Sequence, residues 1–420
     1  MTSSKREIKD VFYLMILQGI SYLAPLIVFP YLMVTLGAEK FGYIGFSLAI
    51  VQYLMLFVDF GFNFSATKRI AQVQNDKEKV SEVFWSTIYA KLFLLLASLV
   101  ILFVFAFVIP RFAIYSKTLL IMSLMVVGNT FSFVWLFQGL GKIRTISIIS
   151  TVSKLLILPL TFLYVKKSDD YNLAAMIQAS AYLFSGLLTV SVLLRNEYIN
   201  LNVKTAKEKI VNELRLAYPV FVSTAASSVY TALFTIILGY FSNPVDVGKY
   251  TAAEKITRFL CMFIYLPITQ SFYPKISSLA LTSKVSAFKI IKKSLLFVVI
   301  SMTFLFFVLF FFSRSLTIFL GKEYFGTTNL FKIMAIAPLL IASGGILGQL
   351  GLLAAGDEID KKNFQNVYIM AAVIATLLVF VLVPKLKSLG ASISLVITEL
   401  VVFLGILWYY RRVFSYKMKK

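Results

Sequence analysis

The sequence predicts an all-α polytopic membrane protein, with about twelve transmembrane helices in two pseudo-symmetric six-helix bundles around a central cavity. Three observations carry that expectation. Of the 420 residues, 59% are apolar and only 14% charged, against roughly 45–50% and about 25% in soluble domains; mean hydropathy is +0.86. The apolar residues fall in runs long enough to cross hydrocarbon, and about twelve spans of ~21 residues account for an apolar content of this size. The two halves of the chain also match one another at a fixed offset.

The runs lie at 11–35, 42–62, 84–109, 118–140, 145–165, 173–194, 217–241, 250–274, 294–313, 328–353, 364–384 and 390–410. The first is longer than the core of a cleaved signal and no A-x-A site follows it, so it is expected to stay as a span. It carries Pro25 and Pro30, and the seventh run carries Pro219 near its start. Proline removes a backbone donor, so both helices are expected to bend and line a pathway or gate. Their polar faces, Gln18/Ser21/Tyr22/Pro25 and Thr224/Ser227/Ser228/Thr231, support that reading. The plainer alternative is an ordinary proline kink, common in membrane helices.

Orientation follows from Lys and Arg. With the N-terminus in the cytoplasm, inside segments hold the larger share of the 41 Lys and Arg, including Lys5, Arg6 and Lys9, Lys68 and Arg69, and Arg411 and Arg412. That bias predicts both termini inside. The longest inside connection, 195–216, divides the runs six and six. The expected organisation is therefore an N-terminal lobe at 1–200, a cytoplasmic linker at 201–216 and a C-terminal lobe at 217–420. An even split gives parallel repeats about an axis along the membrane normal. At an offset of 206, Phe41-Gly42 aligns with Val247-Gly248, Tyr53-Leu54 with Phe259-Leu260, and Arg69-Ile70 with Lys275-Ile276.

The same composition excludes several chemistries. There is no histidine and only one cysteine, Cys261, so imidazole and thiolate metal sites and disulfides are not expected. A net charge of +22 suggests nucleic acid, but the basic residues sit in short loops between apolar runs, as membrane orientation requires. The nearest approach to a phosphate-binding loop ends at Gly248-Lys249. It has Asn243 in place of the first glycine and Tyr250 in place of Ser or Thr, so no ATP hydrolysis is expected. No cofactor is assigned.

Charged groups inside the runs are the candidate site, because a mid-membrane charge costs at least ~2.5–3.5 kcal/mol and usually faces water or the bundle interior. Lys154 lies about nine residues into the fifth run and shares a face with Ser147, Ser150, Thr151 and Thr161. A cavity role is expected there, since snorkelling from such depth is poor. Glu254, Lys255 and Arg258 form a second group, with Glu254 and Arg258 spaced to pair on one helix face. Asp59, Glu254 and Glu399 are candidate cavity or coupling-ion acids. Asp59 is near the inner headgroups, whereas Glu399 is deep, near Ser392, Ser394 and Thr398, where cavity exposure is expected. Lys91 and Lys332 are read as snorkelling lysines.

Taken in order, several motifs resemble those of bacterial O-antigen and polysaccharide repeat-unit flippases, in the multidrug/oligosaccharidyl-lipid/polysaccharide exporter superfamily. They begin with Tyr22-Leu23-Ala24-Pro25-Leu26, Pro30-Tyr31-Leu32, Leu36-Gly37 and Phe41-Gly42. Asp59-Phe60-Gly61-Phe62-Asn63, Ser65-Ala66-Thr67 and Arg69-Ile70-Ala71 follow, then Trp135 with Phe137-Gln138-Gly139, Lys154 and Asp169-Asp170-Tyr171. Gly248, Tyr250, Ala253-Glu254-Lys255-Ile256 and Tyr273-Pro274-Lys275 extend the likeness into the second half.

The resemblance implies a flippase, not an enzyme, in the bacterial cytoplasmic membrane. It would move undecaprenyl-diphosphate-linked oligosaccharide from the inner to the outer leaflet by alternating access. Membrane lipid, and a polysaccharide polymerase with a chain-length regulator, would be its other partners. Where many relatives carry an arginine before the Leu-Gly of the first span, Val34 and Thr35 stand here, so the cationic cavity falls to Lys154, Lys255 and Arg258. Two other functions compete. Multidrug efflux in the same superfamily disagrees with an excess of cations, and a glycan polymerase needs larger outer loops than these.

Overall fold

Gly37 splits what would otherwise be one 58-residue helix. In the computed structural model, α1 runs Thr2–Asp59 and leaves helical geometry at Gly37, with φ 73° and ψ 174°. A side chain is strained at that φ, and glycine is not. The break follows Pro30 by seven residues; the helix runs on through Pro25 and Pro30. The structure describes the backbone of residues 2–201, 203 and 205–417, and the side chains of 24–201, 203, 205–222, 224–225 and 232–412. The side chains of Gln18, Ser21, Tyr22, Ser227, Ser228 and Thr231 lie outside that set.

The remaining elements are helical, with no strand among the described residues. They are α2 (Phe62–Val73), α3 (Lys77–Phe103), α4 (Ser116–Thr130), α5 (Val134–Gly139), α6 (Ile143–Leu155), α7 (Ile157–Tyr164) and α8 (Tyr171–Arg195). After them come α9 (Lys207–Phe241), α10 (Pro244–Thr282), α11 (Lys284–Phe311), α12 (Ser313–Leu320), α13 (Thr327–Met334), α14 (Ala337–Gly345) and α15 (Glu358–Lys417). Residues 207–216, read from the sequence as the end of a linker, are the first turns of α9. Asp76 starts α3 by accepting from the N–H groups of Glu78 and Lys79, both at 3.1 Å. The Lys79 backbone bond, above all, holds that carboxyl below the usual carboxylate range.

Helix makes up most of each of the twelve expected runs, with breaks inside 118–140 at 131–133 and inside 328–353 at 335–336. Eight helices among the described residues are long and apolar enough to cross a membrane. Two of the eight, at Ala24–Val73 (50 residues) and Glu358–Arg412 (55 residues), contain the breaks at Gly37 and Lys387 and so exceed the ~20 residues of one crossing. α9 contributes only the shorter apolar stretch Ala232–Phe241. α10, which carries Glu254, Lys255 and Arg258, does not meet the criterion.

The break in α15 falls on a lysine. Lys387 has φ 50° and ψ −126°, values that glycine adopts easily at the first central position of a tight turn. Lys387→Gly should therefore raise stability by about 1 kcal/mol by relieving that conformation, read as a higher melting temperature in detergent. No change would show that the chain relaxes around the lysine.

The chain forms two compact units. One comprises Met1–Leu36 and Tyr43–Ala225; the other comprises Gly37–Gly42 and Ala226–Lys420. In the first unit α4 and α8 cross closely: a Cβ on Gly128 would lie 2.3 Å from the Tyr182 carbonyl carbon, and one on Gly186 would lie 2.8 Å from the Gly128 carbonyl oxygen. Small residues at such a crossing let backbones pack where lipid supplies no hydrophobic drive. Phe46 stacks on Tyr115 at 3.9 Å, and Tyr43 meets Tyr115 and Tyr171, tying α1 to the connection before α4 and to α8. The core of the second unit gathers Cys261, Tyr265, Ile291, Met302, Ala342 and Ile346 from α10, α11, α14 and the turn after α14.

Candidate functional site

Lys154 stands in the last turn of α6. The fifth run is not one helix: it divides at Leu156 into α6 and α7, and Pro159 withholds the N–H that would continue the ladder to Leu155. An ammonium at a helix C-terminus meets the negative end of the backbone dipole, a stabilisation that the sequence reading did not include. Lys154 is half-buried, like Ser147 and Ser150 on the same face, while Thr151 and Thr161 are buried. Ser153 donates to the Ile149 carbonyl at 2.7 Å and is occupied within its own helix.

Asp59 and Lys91, taken separately from the sequence, form a pair. Lys91 Nζ donates to Asp59 Oδ1 at 2.9 Å, and Lys91 is 1% exposed. The expectation of a snorkelling Lys91 is thus corrected. Its ammonium turns inward because a carboxylate at the end of α1 supplies a counter-charge that no headgroup needs to provide. Lys332 is exposed, with its ammonium 5.7 Å from the Phe310 ring.

Sequence reasoning missed two further links in the first unit. Arg69 of α2 pairs with Glu213 of α9, whose side chain is 1% exposed, and Lys209 of α9 reaches Glu82 of α3 at 2.8 Å. Beside them Phe60 stacks on Phe221 at 4.5 Å, and a Cβ on Gly61 would lie 2.9 Å from the Ala217 carbonyl. The first turns of α9 are thereby fixed to the first unit, near Pro219, through which the helix continues. No local signal marks Glu213, one of two acids, with Glu208, in a basic stretch. An open groove of about 680 Å³ nearby is lined by Lys77, Glu78, Leu193, Glu197 and Asn200; none of the expected site residues lines it.

In the second unit, Glu254 and Arg258 make the expected pair one turn apart on α10. Lys255, beside Glu254, is half-buried. Glu399 differs from expectation: it is 4% exposed, and Ser392, Ser394 and Thr398 are fully buried, so this acid is enclosed in its unit, not open to a cavity. The three hydroxyls donate to the carbonyls of Ser388, Gly390 and Ser394 at 2.7–2.9 Å, which satisfies their protons along their own helix. Tyr250, Cys261 and Tyr368 are within electrostatic range of Glu399.

This arrangement offers cations and carboxylates inside apolar helices. Lys154, Asp59 and Lys91 lie in the first unit, and Glu254, Lys255, Arg258 and Glu399 in the second. None of these groups forms a nucleophile-and-base set.

Comparison with known proteins supplies the context. Residues 8–280 match a family model described as "Polysaccharide biosynthesis protein". A curated relative from Escherichia coli (strain K12), "Putative O-antigen transporter", is 34% identical over 404 residues, covering 96% of each chain. Among solved structures, an inward-facing multidrug resistance MATE family transporter of the MOP superfamily superposes with a TM-score of 0.72 at 14% identity, over 96% of this chain and 95% of that one. The lipid II flippase MurJ in an inward closed conformation gives a TM-score of 0.72 at 12% identity, over 97% and 87%. At such identities, these two likenesses establish the fold.

Proposed function

This chain belongs to the polysaccharide biosynthesis protein family, and we propose on that premise that it is a flippase for undecaprenyl-diphosphate-linked oligosaccharide repeat units, such as those of O-antigen. The observation that carries the reading is the full-length match to a relative named as an O-antigen transporter. The chain would work by alternating access in the bacterial cytoplasmic membrane, with both termini cytoplasmic.

The physical need is plain. Each sugar hydroxyl taken unpaired into hydrocarbon costs roughly 4–8 kcal/mol, so a repeat unit does not cross unaided. A polar path replaces that hydration while the polyprenyl tail stays in lipid. Lys154, Lys255 and Arg258 would attract the diphosphate, Arg258 with the planar donor geometry that suits phosphate. An inside-negative potential favours outward movement of negative charge by ~2.3 kcal/mol per charge per 100 mV. Asp59 and Glu254 are the acids that would be available to a coupling ion, and Pro25, Pro30 and Pro219 the points at which the helices of the path would bend. A polysaccharide polymerase and a chain-length regulator would take the product on the outer side. No covalent step is involved.

Lys154→Ala tests this. The variant should insert normally yet leave completed lipid-linked repeat units on the inner leaflet, with surface polysaccharide reduced by about tenfold or more, as expected when a charge-assisted contact to phosphate is lost. Normal surface polysaccharide would remove Lys154 from the mechanism. Accumulation of single units already on the outer leaflet would point to a polymerase, and export of cationic drugs without any polysaccharide defect would point to efflux.

A further inference from the structure

Two long apolar helices, α3 in the first unit and α11 in the second, both begin with lysines but neutralise them differently. α3 opens on Lys77, Glu78, Lys79 and Glu82 after the capping Asp76. Lys77 reaches Glu197 at 3.9 Å, Lys79 reaches Asp76 at 3.1 Å, and Glu82 receives Lys209 at 2.8 Å. α11 opens instead after the uncharged Ser283 and contains no acid along its whole length. Its lysines, Lys284, Lys289, Lys292 and Lys293, are all exposed, and none of them makes an ion pair among the described residues.

The α11 lysines also crowd one another. Lys292 and Lys293 lie three and four residues after Lys289, so both stand beside it on the helix surface, where like charges are destabilising. Lys284 adds a cation in the first turn, where the backbone dipole disfavours one. The same side of α11 continues through Leu296, Ile300, Phe304, Phe307 and Phe311, all exposed. Its other side, with Phe288, Ile291, Val298 and Met302, is packed in the core of the second unit. Residues 294–313 carry no charge, which is about 30 Å of helix and one hydrocarbon thickness. Lys293 therefore stands where acyl chains give way to headgroups, with Lys289 and Lys292 beside it on the headgroup side.

We propose that Lys289, Lys292 and Lys293 bind the phosphate of an anionic phospholipid, with an acyl chain of that lipid lying along Leu296, Ile300 and Phe304. Charge complementarity names the occupant. The three ammonium groups lack a carboxylate of their own unit, and a lipid phosphodiester lies in the layer that they reach. Continuity with the lipid-facing side of α11 supplies the place for the chain. A free anion would meet the charge and leave that apolar side unused. α3 needs no such lipid, because carboxylates of its own unit already meet its lysines. The inference is independent of what the chain transports.

The test is the melting temperature of the full chain in detergent, titrated with phosphatidylglycerol, with phosphatidylcholine of the same acyl chains, or with inorganic phosphate. Phosphatidylglycerol should raise it well above phosphatidylcholine, as a ligand bound only by the folded state does. In the variant Lys289→Gln/Lys292→Gln/Lys293→Gln, the phosphatidylglycerol needed for half the shift should rise by about tenfold or more. The variant Lys117→Gln/Lys322→Gln/Lys385→Gln loses the same charge from other exposed positions and should respond as the unaltered protein does. Equal shifts from the two lipids, an undiminished response in the first variant, or an equal loss in the second would each overturn the site. A shift from inorganic phosphate as large as that from phosphatidylglycerol would give the lysines to a free anion and overturn the lipid. If the first variant does not fold, the single variants Lys289→Gln, Lys292→Gln and Lys293→Gln decide: each should weaken the response severalfold, and unchanged responses overturn the site.

Discussion

Asp59→Asn should lower the stability of the protein by about 4 kcal/mol, because it leaves the buried Lys91 ammonium without its counter-charge. Lys91 is 1% exposed and Asp59 25%, which sets the order of the single variants. Removing the more exposed partner strands the more buried charge. Lys91→Met should be milder, about 2–3 kcal/mol, since the carboxylate left behind is hydrated at its open side. The double variant should recover a good part of the loss, giving a coupling of about 2 kcal/mol. Thermal or SDS-induced unfolding in detergent measures all three. Additive losses would mean that the 2.9 Å contact contributes nothing by itself.

Gly128→Ala should be about as damaging, at roughly 3 kcal/mol or more. Its new methyl group would lie 2.3 Å from the Tyr182 carbonyl carbon and 2.5 Å from the Leu183 nitrogen. Both are backbone atoms of α8, so no side chain can swing aside; the helices themselves must separate. Gly141→Ala provides the contrast: its added Cβ meets nothing within 4 Å, so its cost is limited to a strained φ, about 1 kcal/mol. Equal yields of folded protein from the two variants would show that α4 and α8 slide apart freely.

Some of the candidate site was legible because it is local. Glu254 and Arg258 are one helical turn apart, and a single α-helix makes them neighbours wherever it sits. Gly42 and Gly248 were legible as matching positions, because they lie at the same offset of 206 residues as the other matching pairs. Asp59 and Lys91 were each noticed as charges in apolar runs, but their pairing was not, since it depends on how α1 and α3 lie together. Glu323 carried no signal at all. It is an acid in a short loop until folding brings it to the open start of a helix 285 residues away. Glu399 was misplaced for a related reason: the nearby hydroxyls suggested water, yet each of them donates to its own helix.

The residues in linear order determined the apolar runs, the helical content and the uneven spacing of Lys and Arg between the runs. All of these follow from composition and from periods within a few turns of chain. Tertiary structure alone decided which charges find partners, which glycines carry helix crossings, and where long helices break and recap. Those outcomes depend on distances between residues far apart along the chain, and in a membrane helix an unpaired charge or backbone group lacks the water that would otherwise tolerate it.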